Sequence, residues 1–249
     1  MTNLGPLIVM GASSGVAQSV IAQQTALGRR CAAVGRDMDK LQSMHGGNSL
    51  VTCFQTDALD RANVRQQFQA IADQFGTPSG YVHCVGSILV APLHRTTDEQ
   101  WDQTIALNLT SAAVGLREFI SLVKGKSKAN AVLISTCAAA LGVANHEAVA
   151  AAKGGLEAMA QSAAATYATD GIRINVVAPG LTNTPMASGF LKSEAMLQAA
   201  GKQYPLGGVN AAHEVADAIV WLLSEASSRV TGAIIPVDGG FSTIRPFIK

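Results

Sequence analysis

Chemistry enters this sequence first as a glycine-rich turn. A short apolar run, residues 7–10, leads into Gly11-Ala12-Ser13-Ser14-Gly15-Val16-Ala17. Glycine permits a sharp turn and lets a ligand approach the backbone closely. Unpaired N–H groups at the start of a following helix, aided by its dipole, can hold a pyrophosphate. An ordinary strand-to-helix turn can look the same. Placement after the first strand and at the head of a helix is what a dinucleotide site requires. At the tip of the second strand, roughly 20 residues on, such folds hold an acid for the adenosine ribose when they take NAD. Here Gly35-Arg36 follows Val34. A guanidinium pairs with phosphate through its forked donors, so NADP(H) is favoured over NAD(H). A solvated Arg36 is the alternative, and Asp37 beside it could neutralise its charge.

The thiols suggest less. Cys31, Cys53, Cys84 and Cys137 form no CxxC pair, and no histidine cluster completes a zinc set, so no metal site is expected. They read as buried free thiols of a reducing, cytoplasmic compartment. Cys137 could be a nucleophile, but no base is evident beside it. Residues 1–4 lack the basic region and apolar core of a signal peptide.

Something must position these groups. Apolar runs at 7–10, 31–34, 50–55, 80–85, 131–134, 174–177 and 233–237 read as strands. Helical patterns lie near 16–27, 37–44, 61–75, 98–107, 110–124, 147–169 and 212–223. Alternating strands and helices imply one doubly wound α/β domain, a Rossmann-type parallel sheet of seven strands with helices on both faces. Such strands need no apolar/polar alternation, and most of these show none. A less regular insertion falls around 182–208.

Composition limits the rest. The chain has 249 residues, 48% hydrophobic and 14% charged, with a formal net charge of +1. A typical domain carries about 25% charged residues. Low charge with high apolar content excludes disorder. Near-zero net charge gives no footprint for DNA or RNA. No apolar run reaches about 18 residues, so no membrane span is expected.

Taken in order, the motifs resemble the short-chain dehydrogenase/reductase family over nearly the whole chain. The turn from Gly11 to Ala17 resembles that family's TGxxxGxG, with Met10 for the threonine and Ala17 for the last glycine. Asp57, in Thr56-Asp57-Ala58, is similar to the aspartate that binds the adenine amine. His83-Cys84-Val85-Gly86 stands where the family has Asn-Asn-Ala-Gly, and only the glycine matches. Asn108 matches the tetrad asparagine. Asn175-Val176-Val177-Ala178-Pro179-Gly180 matches the segment lining the nicotinamide, followed by Thr182 and by Thr184, where a threonine meets the cofactor. Val237-Asp238-Gly239-Gly240 matches the last strand and turn. The resemblance implies a cofactor site of Gly11, Ser13, Ser14, Gly15, Val16, Arg36, Asp57, Ala58, Val85, Gly86, Lys153, Pro179, Gly180, Thr182 and Thr184.

It also implies hydride transfer between nicotinamide and a carbonyl or alcohol, with a tyrosine as proton donor and a lysine four residues later. Lys153, in Ala152-Lys153-Gly154, matches the lysine. Four residues earlier stands Val149, which cannot move a proton. Thirteen before that, Thr136 fills the serine position. Tyr81, Tyr167 and Tyr204 lack the spacing. If the helix has begun by 146, His146 shares a face with Val149 and Lys153, and histidine suits proton transfer near neutrality. A loop or interface histidine is the plainer alternative. Lys153 without a phenol would still hold the ribose hydroxyls.

The expected function is an NADP(H)-dependent oxidoreductase with a non-standard proton donor, acting on a small, largely apolar carbonyl, alcohol or enoyl substrate. Residues 87–95 and 182–204 would wall its pocket. Ala152–Met159 also looks like family reductases of C=C bonds that lack this tyrosine, although no replacement tyrosine follows Thr136. The alternative is a cofactor-binding protein without redox turnover: a sensor, a partner subunit, or a non-redox lyase or isomerase. The charge shortage, concentrated in 147–169, points to a homo-oligomer, a dimer or tetramer, since family members associate through the corresponding helices and last strand.

Overall fold

Buried strands explain the architecture. In the computed structural model, which describes residues 5–245, Leu7, Ile8 and Val9 are fully buried and Met10 nearly so. A strand apolar on both faces needs cover on both, and that cover is helical. The chain runs β1 (Leu7–Met10), α1 (Gly15–Ala26), β2 (Cys31–Gly35), α2 (Met38–His45), β3 (Val51–Gln55), α3 (Arg61–Phe75), β4 (Gly80–His83), α4 (Asp98–Ile105) and α5 (Ser111–Val123). It continues through β5 (Ala129–Ile134), α6 (Glu147–Tyr167), β6 (Ile172–Pro179), β7 (Thr182–Asn183), α7 (Glu194–Gly201), β8 (Asn210–Ala211), α8 (Ala212–Leu223) and β9 (Ile234–Val237). Seven strands form one parallel sheet in the order β3-β2-β1-β4-β5-β6-β9. Two apolar cores lie on its two faces: one around Phe68, Tyr81, Phe119 and Leu156, the other around Val20, Ile21, Val215 and Ile219.

Strand order reverses between β1 and β4, so the loops leaving their carboxyl ends diverge and open a crevice. That divergence ends β4 at His83 rather than at residue 85: Cys84 and Val85 peel away and line the crevice. The expected helix at 110–124 also differs. α4 passes into a single π-turn, Ala106–Thr110, before α5 begins at Ser111. Such turns insert a residue into a helix and commonly mark functional positions; this one carries Asn108. The continuous stretch Asp98–Val123 is long and apolar enough to cross a membrane by length and composition alone, yet its apolar 18-residue window is 56% buried inside the protein. The insertion is more ordered than expected. β7 pairs in parallel with β8, and α7 lies between them. Residues 1–4, read above for a leader sequence, lie outside the described residues.

Candidate active site

The crevice is a cavity of about 1010 Å³, and all the residues anticipated for the cofactor and for catalysis line it. Gly11 sits at its base with φ +80°. A Cβ there would lie 2.8 Å from the Cys84 backbone carbon, so glycine is required on both grounds. Ser14 caps α1, its Oγ accepting from Ala17 N–H at 3.2 Å. The N–H groups of Gly15 and Val16 find no acceptor among the described residues, which is the anion-binding arrangement of a helix start. His45 braces the loop from α2 through Nε2, 3.0 Å from the Ala12 carbonyl.

At the adenosine end, Arg36 is exposed, and Asp37 does not neutralise it. The Asp37 carboxylate instead caps α2, accepting from Lys40 N–H at 2.9 Å. Lys40 lines the same edge, a second cation that the tip-of-strand rule did not flag. Nearby, Thr56 is 3% exposed, and its Oγ is the one fully buried side-chain polar atom without a partner among the described residues. Asp57 and Ala58 follow it along the wall. A loop only glycine can form, two free helix-end donors, an orphaned hydroxyl and two cations together fit an adenine dinucleotide.

Lys153 crosses the middle of the cavity. Its Nζ donates to the Ile134 carbonyl at 2.7 Å, and burial pulls its pKa down to about 8, with Cys84 and Glu157 opposing. The side chain passes beside Gly86. A Cβ on Gly86 would lie 2.9 Å from Asn108 Oδ1 and 3.5 Å from Lys153 Nζ. Asn108 is fully buried and held on three sides: its amide donates to Thr104 O and Ser87 Oγ, both at 3.0 Å, and its Oδ1 accepts from Ser87 N–H at 3.1 Å. Glu157, one helical turn beyond Lys153, accepts from Ser135 Oγ at 2.5 Å. Burial raises its carboxyl pKa, the Ser135 hydrogen bond and Lys153 opposing.

Thr136, in the loop just past β5, and Val149, in α6, line the cavity. Thr136 Oγ accepts from Ala138 N–H at 3.3 Å. His146 also lines the cavity but is not in the helix: it is the residue before α6, with φ −113° and ψ 18°. The expected shared helical face is therefore replaced by a cap position. Its Nδ1 is 2.8 Å from the Ala144 carbonyl. A carbonyl only accepts, so Nδ1 carries the proton and Nε2 has no partner among the described residues. Tyr204, set aside on spacing, also lines the cavity, but its hydroxyl accepts from Leu181 N–H at 2.7 Å and its ring packs on Phe241. Burial pushes the Cys137 thiol up to about 11 and the Cys84 thiol up to about 12, which removes both as thiolate nucleophiles. Cys31 and Cys137 are buried, whereas Cys53 and Cys84 are only partly so. Among the described residues no group of three or more His, Cys, Asp or Glu could hold a metal ion.

A buried polar chain supports the floor. Ser111 Oγ donates to Leu107 O in the π-turn at 2.7 Å. It therefore accepts from His83 Nε2–H at 3.1 Å, and His83 Nδ1 accepts from the Tyr81 hydroxyl at 2.7 Å. Burial, seconded by Lys153, lowers the His83 pKa from 6.5 to about 3. The fold holds this imidazole neutral while the unfolded chain protonates it below pH 6.5. Its share of stability is thus complete above 6.5 and is lost as pH falls toward 3. Urea unfolding of His83→Gln should lose roughly 3 kcal/mol less than wild type between pH 7 and pH 4; equal losses would refute this.

A family model described as "Enoyl-(Acyl carrier protein) reductase" matches residues 11–242. The chain belongs to the short-chain dehydrogenase/reductase family. This family of oxidoreductases uses a nicotinamide cofactor. Similar members include cis-4-hydroxycyclohexanecarboxylate dehydrogenase of Sinomonas cyclohexanicum, 33% identical over 95% of this chain and 96% of that one. Another is 2-(R)-hydroxypropyl-CoM dehydrogenase of Xanthobacter autotrophicus, 28% identical over 95% of this chain and 98% of that one. Among solved structures, a short-chain type dehydrogenase/reductase from Mycobacterium ulcerans superposes with a TM-score of 0.91 at 27% identity, covering 97% of this chain and 90% of that one. Against these family members the crevice at the β1/β4 switch point is the expected place for cofactor and substrate.

Proposed function

We propose that this protein is an NADP(H)-dependent oxidoreductase of carbonyl or alcohol groups in which His146, rather than a tyrosine, handles the proton. The observation that carries the proposal is the free Nε2 of His146, a residue that lines the same cavity as Thr136, Val149 and Lys153. NADPH, when bound, supplies the hydride to the carbonyl carbon. Ser13, Ser14, Gly15 and Val16 would hold its pyrophosphate. Arg36 and Lys40 would pair with the 2′-phosphate, and Asp57 and Ala58 would face the adenine. Val85, Gly86, Pro179, Gly180, Thr182 and Thr184 would enclose the nicotinamide half. Thr136, whose oxygen already accepts from Ala138, keeps its O–H for the substrate oxygen. Once protonated on Nε2 as well, His146 would donate that proton to the oxygen as it becomes a hydroxyl, return to its Nδ1–H tautomer, and take the next proton from solvent at the cavity mouth. Lys153, anchored on the Ile134 carbonyl, has ammonium hydrogens left for the ribose hydroxyls.

Purified protein assayed with NADPH against ketones, aldehydes and enoyl thioesters tests this. Turnover on one class, abolished by Lys153→Ala, is the expected result. Tight NADPH binding with no turnover on any class would favour a binding protein instead, a role that the apolar Val149 would suit. For cofactor choice, Arg36→Ala should raise the NADPH dissociation constant about tenfold and leave the NADH constant nearly unchanged. Equal effects on both would overturn the NADP(H) preference.

The exposed face of α6 supports a homo-oligomer. Between Glu147 and Asp170 its exposed positions include Ala151, Ala158, Gln161, Ser162 and Ala165, with no charge among the exposed residues. A dimer or tetramer in the cytoplasm fits that face; a clean monomer by sedimentation would remove it.

A further inference from the structure

We infer that the substrate end of the cavity is a subsite for an uncharged lipophilic alcohol or ketone, one that rejects carboxylates and phosphates. Two independent observations carry this. The first is the distribution of charge. Among the described residues, four Lys, Arg, Asp or Glu side chains line the cavity: Arg36, Lys40, Asp57 and Lys153. Arg36 and Asp57 follow the ends of β2 and β3 and Lys40 lies in α2, all on the adenosine side, and Lys153 at the junction is bonded to the Ile134 carbonyl. The walls beyond that junction, drawn from residues 88–90, 136–149 and 181–204, contribute none. Lys192, Glu194 and Lys202 belong to those same segments, yet none of them lines the cavity. Past Thr136 and His146 these walls offer an anion no Lys or Arg side chain, so a carboxylate or phosphate would lose its water without an ion-pair partner, a cost that an uncharged molecule escapes.

The second observation is the surface. Eleven large apolar side chains are exposed among the described residues, and five of them, Ile88, Val90, Met186, Phe190 and Met196, line this cavity. Each is 40–49% exposed. They come from two segments far apart in sequence, so local composition does not explain their meeting. Exposed apolar surface gathered in one concavity marks a site that apolar matter fills. The cavity continues into the dinucleotide crevice, so the occupant is a small molecule. Its one polar group would lie toward Thr136 and His146, and its hydrocarbon body against the methionines and Phe190.

The assignment of the reacting atom rests on the oxidoreductase proposal; the binding preference does not. Isothermal titration of the protein saturated with NADP⁺ separates the two. The probes are 2-hexanol, 2-octanol and 2-decanol, set against hexanoate, octanoate and decanoate. Affinity should strengthen about three- to fourfold per added methylene along the alcohols. Each carboxylate should bind at least about 100-fold more weakly than the alcohol of equal length. Phe190→Arg, at a position exposed enough to accept the change, should reverse the preference toward the carboxylates. Carboxylates binding wild type as tightly as the alcohols would overturn the inference. So would neither series binding while NADP⁺ does. Alcohols that bind with the stated preference but are never oxidised would uphold the subsite and sink the proposed reaction instead.

Discussion

Replacing His146 with alanine is expected to lower turnover by about 10²–10⁴-fold, the usual contribution of a positioned acid or base. NADPH affinity should hardly change. The side chain stands outside α6 as its cap residue, so its loss leaves the helical hydrogen bonds intact. The Ala144 carbonyl that it engages is on an exposed loop residue and can turn to water. A fall in turnover would therefore reflect proton transfer rather than a damaged site. Added imidazole should restore part of the rate, because the vacated space opens on the cavity. His146→Ala with wild-type turnover and an unchanged pH profile would remove histidine from the mechanism.

Val149→Tyr is expected to raise the turnover of the His146→Ala protein by about 10²-fold or more. Val149 is 6% exposed and lines the cavity one helical turn before Lys153. A ring grown from it enters open space, which avoids the usual penalty of enlarging a packed side chain. The phenol would then lie near the Lys153 ammonium, and a neighbouring cation lowers a phenol's pKa. The restored activity should follow a different pH profile from that of the histidine-driven rate. No gain, in a variant that still binds NADPH, would mean that the missing acid is not what limits this site.

The alternation of strands and helices, the switch-point crevice and the phosphate loop were legible because each rests on a local pattern: an apolar run, a glycine spacing, a capping serine. Lys153 and Asn108 were legible by position within a known order of motifs. What stayed hidden depends on tertiary geometry. The π-turn at Asn108 leaves no periodic signature in five residues. Lys40 lies within α2, beyond the strand tip where cofactor choice is usually read, and only the course of that helix brings it to the cavity. The Tyr81–His83–Ser111 chain joins two elements through side chains whose partners cannot be inferred from spacing. Glu157 could have been found, since it follows Lys153 by four residues on one helical face. The spacing of His146 suggests a helical register that it does not adopt; it reaches the cavity from the loop before the helix instead.

The pairing of β7 with β8 has an evolutionary consequence. Those two short strands close the neck of the segment that supplies Met186, Phe190 and Met196, while the seven-stranded sheet and the glycine turn lie outside the neck. Everything between Thr184, which stays with the cofactor site, and Asn210 is thus a cassette with a fixed seam. Descendants of one cofactor-binding chassis could trade that cassette and acquire new substrates while the sheet stayed untouched. A laboratory graft cut after Thr184 and before Asn210 would follow the same seam.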